Sequence, residues 1–536
     1  MSATRGNAWA SGPNRRRVIG FGGAGAAAVL LGTGALHDDR ALAAPMRLDN
    51  PFTLGVASGD PLPDGVVLWT RLAPDPYRAD GTGGMPDRPV RVEWEVAADE
   101  RFHRVVRRGA VTATPELGHS VHVEVSGLRP ATEYHYRFRA RGEISPVGRT
   151  RTAPAVWADP RSLTFAFASC QAWEDGHYTA YAHMAREDLD FVVHLGDYIY
   201  EYACTGAKRG TPVGEQFGTE TMTLDRYRLQ YALYKSDENL QAAHAAFPWI
   251  HTMDDHEVEN NWAAGLSQAD SEPDQDPAVF LQRRAAAFQA MYENLPLRRA
   301  QMPDGPDMRL HRRLSYGGLA DITMIDTRQY RDDQPCGDGS DVGCVDRLDP
   351  DRTLLGAEQR EWLLQGFSRS RARWQVLGNQ APMGETDQDA GPDKRLFMDP
   401  WDGYVAERDR VLAGAVDRGV RNLVVITGDR HQNYAWDLKR DFEDPDSPTV
   451  ASEFVGTSIS SGGDGADMTA EGERFLAANP HMKFFNAQRG YVRCTVTERE
   501  WRSDYRVVPY VLTPGAPIST RASYVVQDGV PGVQEG

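Results

Sequence analysis

At 536 residues the chain exceeds what one hydrophobic core holds, so two or more domains are expected. A quarter of its residues are charged and 41% are hydrophobic, which excludes a disordered or fibrous chain. Acids outnumber bases by 76 to 59, a formal net charge of −17, which excludes a nucleic-acid or anionic-membrane binder driven by bulk charge.

Residues 1–43 read as an export signal. Arg15-Arg16-Arg17 precede an apolar Gly/Ala run that ends near Leu36, and Ala41-Leu42-Ala43 supplies a small-residue cleavage site. Glycines break the run, which makes it a poor membrane anchor. The arginine pair resembles a twin-arginine (Tat) signal. That implies the Tat export machinery as a partner and a secreted, periplasmic or surface-held mature protein. No later stretch reads as a transmembrane anchor.

Residues 49–152 read as a β-sandwich domain. Gly65–Thr70, Val90–Val96, Ser120–Val125 and Tyr134–Ala140 are short strand-like runs separated by Pro/Gly turns. VRVEWEV alternates apolar and polar residues as a half-buried strand does. GLRPATEYHYRFRA resembles the late strands of a fibronectin-type sandwich. A Pro/Ala linker at 153–160 follows, and the pattern then changes to strands alternating with helices, the signature of an α/β fold. Strands are expected at Leu163–Ala168, Leu189–Leu195, Pro248–Met253, Arg309–Leu314, Ala320–Asp326, Trp374–Leu377 and Asn422–Thr427, and later at Glu453–Thr457, Gly490–Val496 and Tyr505–Val511. Helices are expected at Tyr178–Glu187, Leu224–Tyr234, Glu238–Ala245, Asp276–Asn294, Ala357–Phe367 and Val405–Val416. This catalytic-type domain spans 160–512, and 513–536 reads as a C-terminal tail. The long loops 203–220 and 380–401 are candidate lids.

Five cysteines remain in an exported chain, where most thiols pair. Cys336 and Cys344 flank a short Gly/Asp loop and are natural partners. Cys170 stands at the end of a buried strand.

Strand ends carry the chemistry. Strand–Gly–polar recurs at Gly196-Asp197, Gly378-Asn379 and Gly428-Asp429, each after an apolar run, so each is expected at the same edge of a sheet. Cys170 and Asp255-His256-Glu257 end two further strands, while Tyr200 shares the strand end of Asp197 and His431 that of Asp429. Thiolate Cys170, phenolate Tyr200 and imidazole His431 suit a transition metal, with phenolate favouring ferric iron. Asp255, Asn379 and Asp429 are oxygen donors of the kind calcium takes. Asp197 can bridge the two. Carboxylates gathered this way need cations among them. His256 is placed to protonate a leaving group, with Glu257 orienting it.

The motifs FASCQ (Phe167–Gln171), HLGDYIYEY (His194–Tyr202), DDHEVENNW (Asp254–Trp262), DTRQYRDDQPC (Asp326–Cys336), LGNQ (Leu377–Gln380), TGDRH (Thr427–His431) and RGYVRCTVT (Arg489–Thr497) occur in one order. The Phe52–Leu72 block precedes them. Together they resemble the alkaline phosphatase D (PhoD-like) family, itself similar to purple acid phosphatases. The resemblance implies two mixed β-sheets flanked by helices, behind an N-terminal fibronectin-III-like sandwich. It implies Fe3+ on Cys170, Asp197, Tyr200 and His431, and Ca2+ on Asp197, Asp255, Asn379 and Asp429. A second Ca2+ is implied, with Glu257 as its expected protein ligand. A metal-bound oxygen is the implied nucleophile, with Asp197 and His256 as catalytic residues. A metal-bound Cys170 leaves Cys204 and Cys494 as a further candidate pair. The implied activity is hydrolysis of phosphomonoesters and phosphodiesters by a monomer. A phospholipase D-like action on phosphatidylcholine-type lipids is the alternative substrate reading. A non-catalytic surface-binding protein is the alternative of another class, and it leaves the recurrence of ligands at strand ends unexplained.

Overall fold

The computed structural model describes residues 50–444 and 446–536. The export signal expected at 1–43 lies outside the described residues.

Two large mixed sheets stack face to face. The first, ten-stranded, has at its centre three parallel strands: Ser162–Ala168, Phe191–His194 and Pro248–His251. The second, seven-stranded, is built round Ala320–Met324, Trp374–Asn379, Leu423–Thr427 and Thr449–Val455, also parallel. Side chains alternate across each strand. Leu163, Phe165, Phe167, Phe191, Val193 and Leu195 therefore enter the core between the sheets, where they meet Ile322, Val376, Val424 and Ile426. Ala166, Ala168 and Val192 face outward to the helices. Such two-sided burial explains why the parallel strands read as continuous apolar runs.

Helices cover both outer faces. Thr179–Met184, Leu224–Lys235, Glu238–Ala246 and Pro277–Asn294 pack on the first sheet, Gly356–Arg369 and Val405–Asp417 on the second. The sequence boundaries fall within a few residues of these. Asp276 caps the long helix through a hydrogen bond to the amide of Ala278, with Pro277 at its first turn.

The N-terminal strands form the expected β-sandwich, but not a detached one, because one of its two sheets is continuous with the first large sheet. Val56–Leu62 pairs in parallel with Pro248–His251, so Val56–Leu62, Gly65–Arg71 and Ser120–Val125 extend the ten-stranded sheet. A five-stranded sheet built on Val90–Ala97 packs over that extension around a shared core of Val66, Leu68, Val92 and Phe138. Two expectations need correction. Residues 513–536 are not a tail, because Ser519–Gln527 and Val530–Glu535 complete the opposite edge of the same ten-stranded sheet. Cys336 and Cys344 form a disulfide, but Cys204 and Cys494 are both free and buried. Cys494 lies inside the inter-sheet core, whereas Cys204 lies among the helices, and the sheet separates them.

Candidate metal centre

The sequence placed the Gly–polar strand ends on one sheet edge. The structure divides them between two sheets: Asp197 follows a strand of the first, while Asn379 and Asp429 end strands of the second. They still meet, because the carboxyl ends of both parallel sets lie at one end of the sandwich. The sheets are pinched together there. Ser169 bridges to Ser458, and a Cβ on Gly428 would stand 2.6 Å from the Ser169 hydroxyl. Gly196 has φ +115°, and its missing Cβ leaves room for the backbone of Asp254.

Cys170, Asp197, Asp429 and His431 all hold left-handed backbone conformations, with φ between 55° and 67°. Such a conformation costs a non-glycine residue on the order of 1–2 kcal/mol and clusters at functional sites. Ligand atoms of Cys170, Asp197 and His431 lie within 4.8 Å of one another, as do those of Asp197, Asp255 and His256. Asp197 is common to both groups. Tyr200 joins the first: its hydroxyl donates to Asp197 Oδ2 at 3.1 Å, sits 3.0 Å from His431 Nε2 and accepts from Ser461 Oγ at 2.8 Å.

The carboxylates are incompletely satisfied. Asp197 Oδ1, Asp255 Oδ1 and Asp429 Oδ2 are buried with no hydrogen-bond donor among the described residues. Burial, then the nearby Asp255, holds Asp197 far above the usual carboxylate range. Burial pushes Asp429 up to about 7, against Arg430 and with Asp255. Asp255 stays low despite burial, because Arg328 and His256 favour its charge. Burial, reinforced by Asp197, raises both the Cys170 thiol and the Tyr200 phenol. Burial and Arg489 lower His431 to about 3, which leaves a neutral imidazole suited to a metal. A concentration of donors, three of them acceptors without partners, fits cations well. Asn379 ends the strand next to that of Asp429, with its amide fixed: Trp401 Nε1 donates to its Oδ1 at 3.1 Å, and its Nδ2 donates to Thr427 Oγ1 at 3.2 Å.

Glu257 does not fit the role expected for it. Its Oε2 accepts from the amides of Asp197 and Asp254, and its Oε1 from that of Tyr198. Both oxygens shape the loop that carries Asp197, which makes the residue an anchor for that loop. Nor does it orient His256. Glu201 does, with Oε2 2.7 Å from His256 Nδ1 and Oε1 accepting from the amide of Asn260. The Tyr200 ring stacks on His256 at 4.0 Å. Glu201 lies inside the HLGDYIYEY motif, but in the loop several residues past the strand end, where nothing local marks His256 as its partner.

Arg328 was also missed. It is fully buried, and it bonds Asp254 Oδ1 at 2.7 Å and both oxygens of Asp399 at 2.8 and 2.9 Å. This places a cation directly behind Asp255, at 3.7 Å. Its signal was the acid-rich motif around it, which held a single arginine ahead of Gln329.

Residues 165–505 match the PhoD-like phosphatase family, and residues 39–154 match the N-terminal domain of that family. Alkaline phosphatase D of Bacillus subtilis (strain 168) is 52% identical over 495 residues, which cover 92% of this chain and 84% of that protein. A solved structure of PhoD matches with a TM-score of 0.87 at 51% identity, over 92% of this chain and 93% of that one. Purple acid phosphatase PPD1 from yellow lupin shares the fold alone, with a TM-score of 0.51 at 13% identity over 88% of this chain and 73% of that one. With two family segments in series and this identity over nearly its whole length, the chain belongs to the PhoD-like phosphatase family.

Proposed function

We propose that this chain hydrolyses phosphoric esters in the manner of an alkaline phosphatase D, with Fe3+ on Cys170, Asp197, Tyr200 and His431 and Ca2+ on Asp197, Asp255, Asn379 and Asp429. The observation that carries this reading is the set of three buried, donorless carboxylate oxygens, one each on Asp197, Asp255 and Asp429. Cys170, Tyr200 and His431 collect on one side of Asp197, and the carboxylate of Asp255 stands on the other with His256 held away by Glu201, which favours two unlike cations. Such a pair, when bound, holds a phosphoryl group, lowers the pKa of a water and stabilises the leaving oxygen.

The chain's own residues do the rest. Glu201 holds His256 by Nδ1, which leaves Nε2 to deliver a proton to the leaving oxygen. Tyr200 fixes the plane of that ring from one face. Tyr202, 47% exposed, stands edge-on to His256 at the rim, where the ester group of a substrate enters. Glu257 holds the amides on either side of the bridging position. The Arg15–Arg17 run supports export by the Tat route.

Turnover of p-nitrophenyl phosphate and of its bis ester is expected to be lost in EGTA and to return with Ca2+. Activity indifferent to EGTA refutes calcium. Visible phenolate–iron absorption is expected to vanish in Tyr200→Phe, and absorption that persists removes Tyr200 from the ligand set. A monoester, a glycerophosphodiester and phosphatidylcholine compared on one preparation assign the substrate class.

A further inference from the structure

A second group of carboxylates lies apart from the centre just described. Ligand oxygens of Glu259, Asp270 and Asp274 fall within 4.8 Å of one another. Glu259 and Asp274 are buried, and Asp270 is exposed. They belong to the turn and loop between Asp255 and the helix Pro277–Asn294.

Charge here is not balanced. Arg283 is the cation that meets the group, and its donors are committed. Nε donates to Tyr227 Oη at 3.1 Å, NH1 to Asp274 Oδ2 at 2.9 Å and NH2 to Glu220 Oε1 at 2.8 Å. NH1 stands 3.4 Å from Glu259 Oε1. One guanidinium therefore meets three carboxylates, with Asp270 beside two of them. Ser267 Oγ donates toward Glu259 Oε1 and Asp274 Oδ1, at 3.0 and 3.3 Å. Among the described residues nothing donates to Glu259 Oε2, although it is buried on a side chain only 1% exposed. A buried carboxylate oxygen without a donor, among like charges, costs free energy that a cation removes. Burial, offset by Arg283 and reinforced by Asp274, raises Glu259 to about 8.

We propose that Glu259, Asp270 and Asp274 hold a structural divalent cation, separate from the catalytic pair. Every donor in the group is oxygen, with one ligand exposed to admit water, which selects Ca2+. The cation clamps the 263–275 loop onto the turn that carries Asp255 and His256. That turn is held to the site by the amides of Asn260 and Asn261, which donate to Glu201 and Asp255. The clamp keeps those amides in place from the side opposite the substrate.

Equilibrium dialysis of the purified full chain against 45Ca2+ tests this. Wild type is expected to bind one Ca2+ per chain more than Glu259→Gln and one more than Asp274→Asn. Ca2+ is expected to protect the 263–275 loop from limited proteolysis in wild type and not in Glu259→Gln. The exposed Asp270→Asn, which removes no buried group, is expected to weaken the additional Ca2+ roughly tenfold, in line with losing one of three charged ligands. Asp255→Asn is expected to lose turnover and keep the protected loop, which separates this site from the catalytic one. Equal Ca2+ binding in wild type, Glu259→Gln and Asp270→Asn overturns the proposal and leaves Arg283 as the counter-charge of the group. Loop cleavage unaffected by Ca2+ in wild type overturns it equally.

Discussion

Glu257 and Glu201 divide between them work that the sequence assigned to one residue. Both are acids next to ligands, and residue type alone does not separate a carboxylate that binds a cation from one that binds amides. The distinction lies in which N–H groups the backbone aims at it. Three amides converge on Glu257, two of them on either side of the Asp197 Cα. Glutamine at this position has one acceptor oxygen and an NH2 that opposes an amide N–H. The unsatisfied buried groups cost ~1–3 kcal/mol each. Glu257→Gln is thus expected to lose about 2–5 kcal/mol of stability by chemical denaturation and to release both metals together. Metal analysis checks this. Selective loss of calcium, with stability unchanged, returns Glu257 to the role of a ligand.

Element by element, the legible parts are those whose side chains face apolar surroundings on every side. Phe191–Leu195 and Leu423–Thr427 are buried on both faces, and their composition says so. The three Gly–polar strand ends were legible because tight approach demands glycine at Gly196 and Gly428. That they belong to two sheets was not, since strand pairing over long sequence distances leaves no local mark. Helix Ala470–Ala478 escaped for a related reason: it buries only Gly472 and Phe475, so its apolar face is too short to read. The helix Leu224–Lys235 carries a further consequence. Its last residue, Lys235, is buried over the Trp69 ring at 4.0 Å, next to Tyr198. Burial lowers its ammonium from 10.5 to about 7. Nearby His194, His244 and His251 stack in one aromatic cluster and are also lowered by burial, His194 to about 3. Each base binds its proton more readily in the unfolded chain, so stability rises with pH across each interval. For Lys235 the interval runs from about pH 7 to 10.5, with a slope of ~1.4 kcal/mol per pH unit. For the histidines, stability is present above 6.5 and is lost as pH falls toward their folded values. The fold is thereby biased to alkaline conditions. Lys235→Met is expected to flatten the dependence of denaturation free energy between pH 7.5 and 9.5 by about 2–3 kcal/mol. An unchanged slope rejects the assignment.

At the scale of the whole molecule, one sheet runs from the N-terminal strands to the last residues of the chain. Its final strands, Ser519–Gln527 and Val530–Glu535, were invisible in the sequence because their outer halves are polar and exposed. Only Tyr524, Val525, Val526 and Val533 are buried in them. Their backbone also reaches the other sheet. The amide of Val533 donates to Asp437 at 2.8 Å, that of Gly532 to Ser452 at 3.1 Å and that of Gly529 to Asn422 at 2.7 Å. These strands therefore close the sandwich at its edge. A chain ending at Leu512 exposes the nine-residue strand Glu500–Val508 as a new, unprotected edge. It also forfeits four buried apolar side chains, at ~1.5–3 kcal/mol apiece, a sum comparable to the ~5–15 kcal/mol that holds a typical domain together. The truncated chain is expected to aggregate on expression. A chain ending at Gln527 keeps the inner of the two strands and is expected to stay soluble with a lowered melting temperature. If the Leu512 truncation melts within a few degrees of the full chain, the terminal strands are an appendage, and the sheet is complete without them.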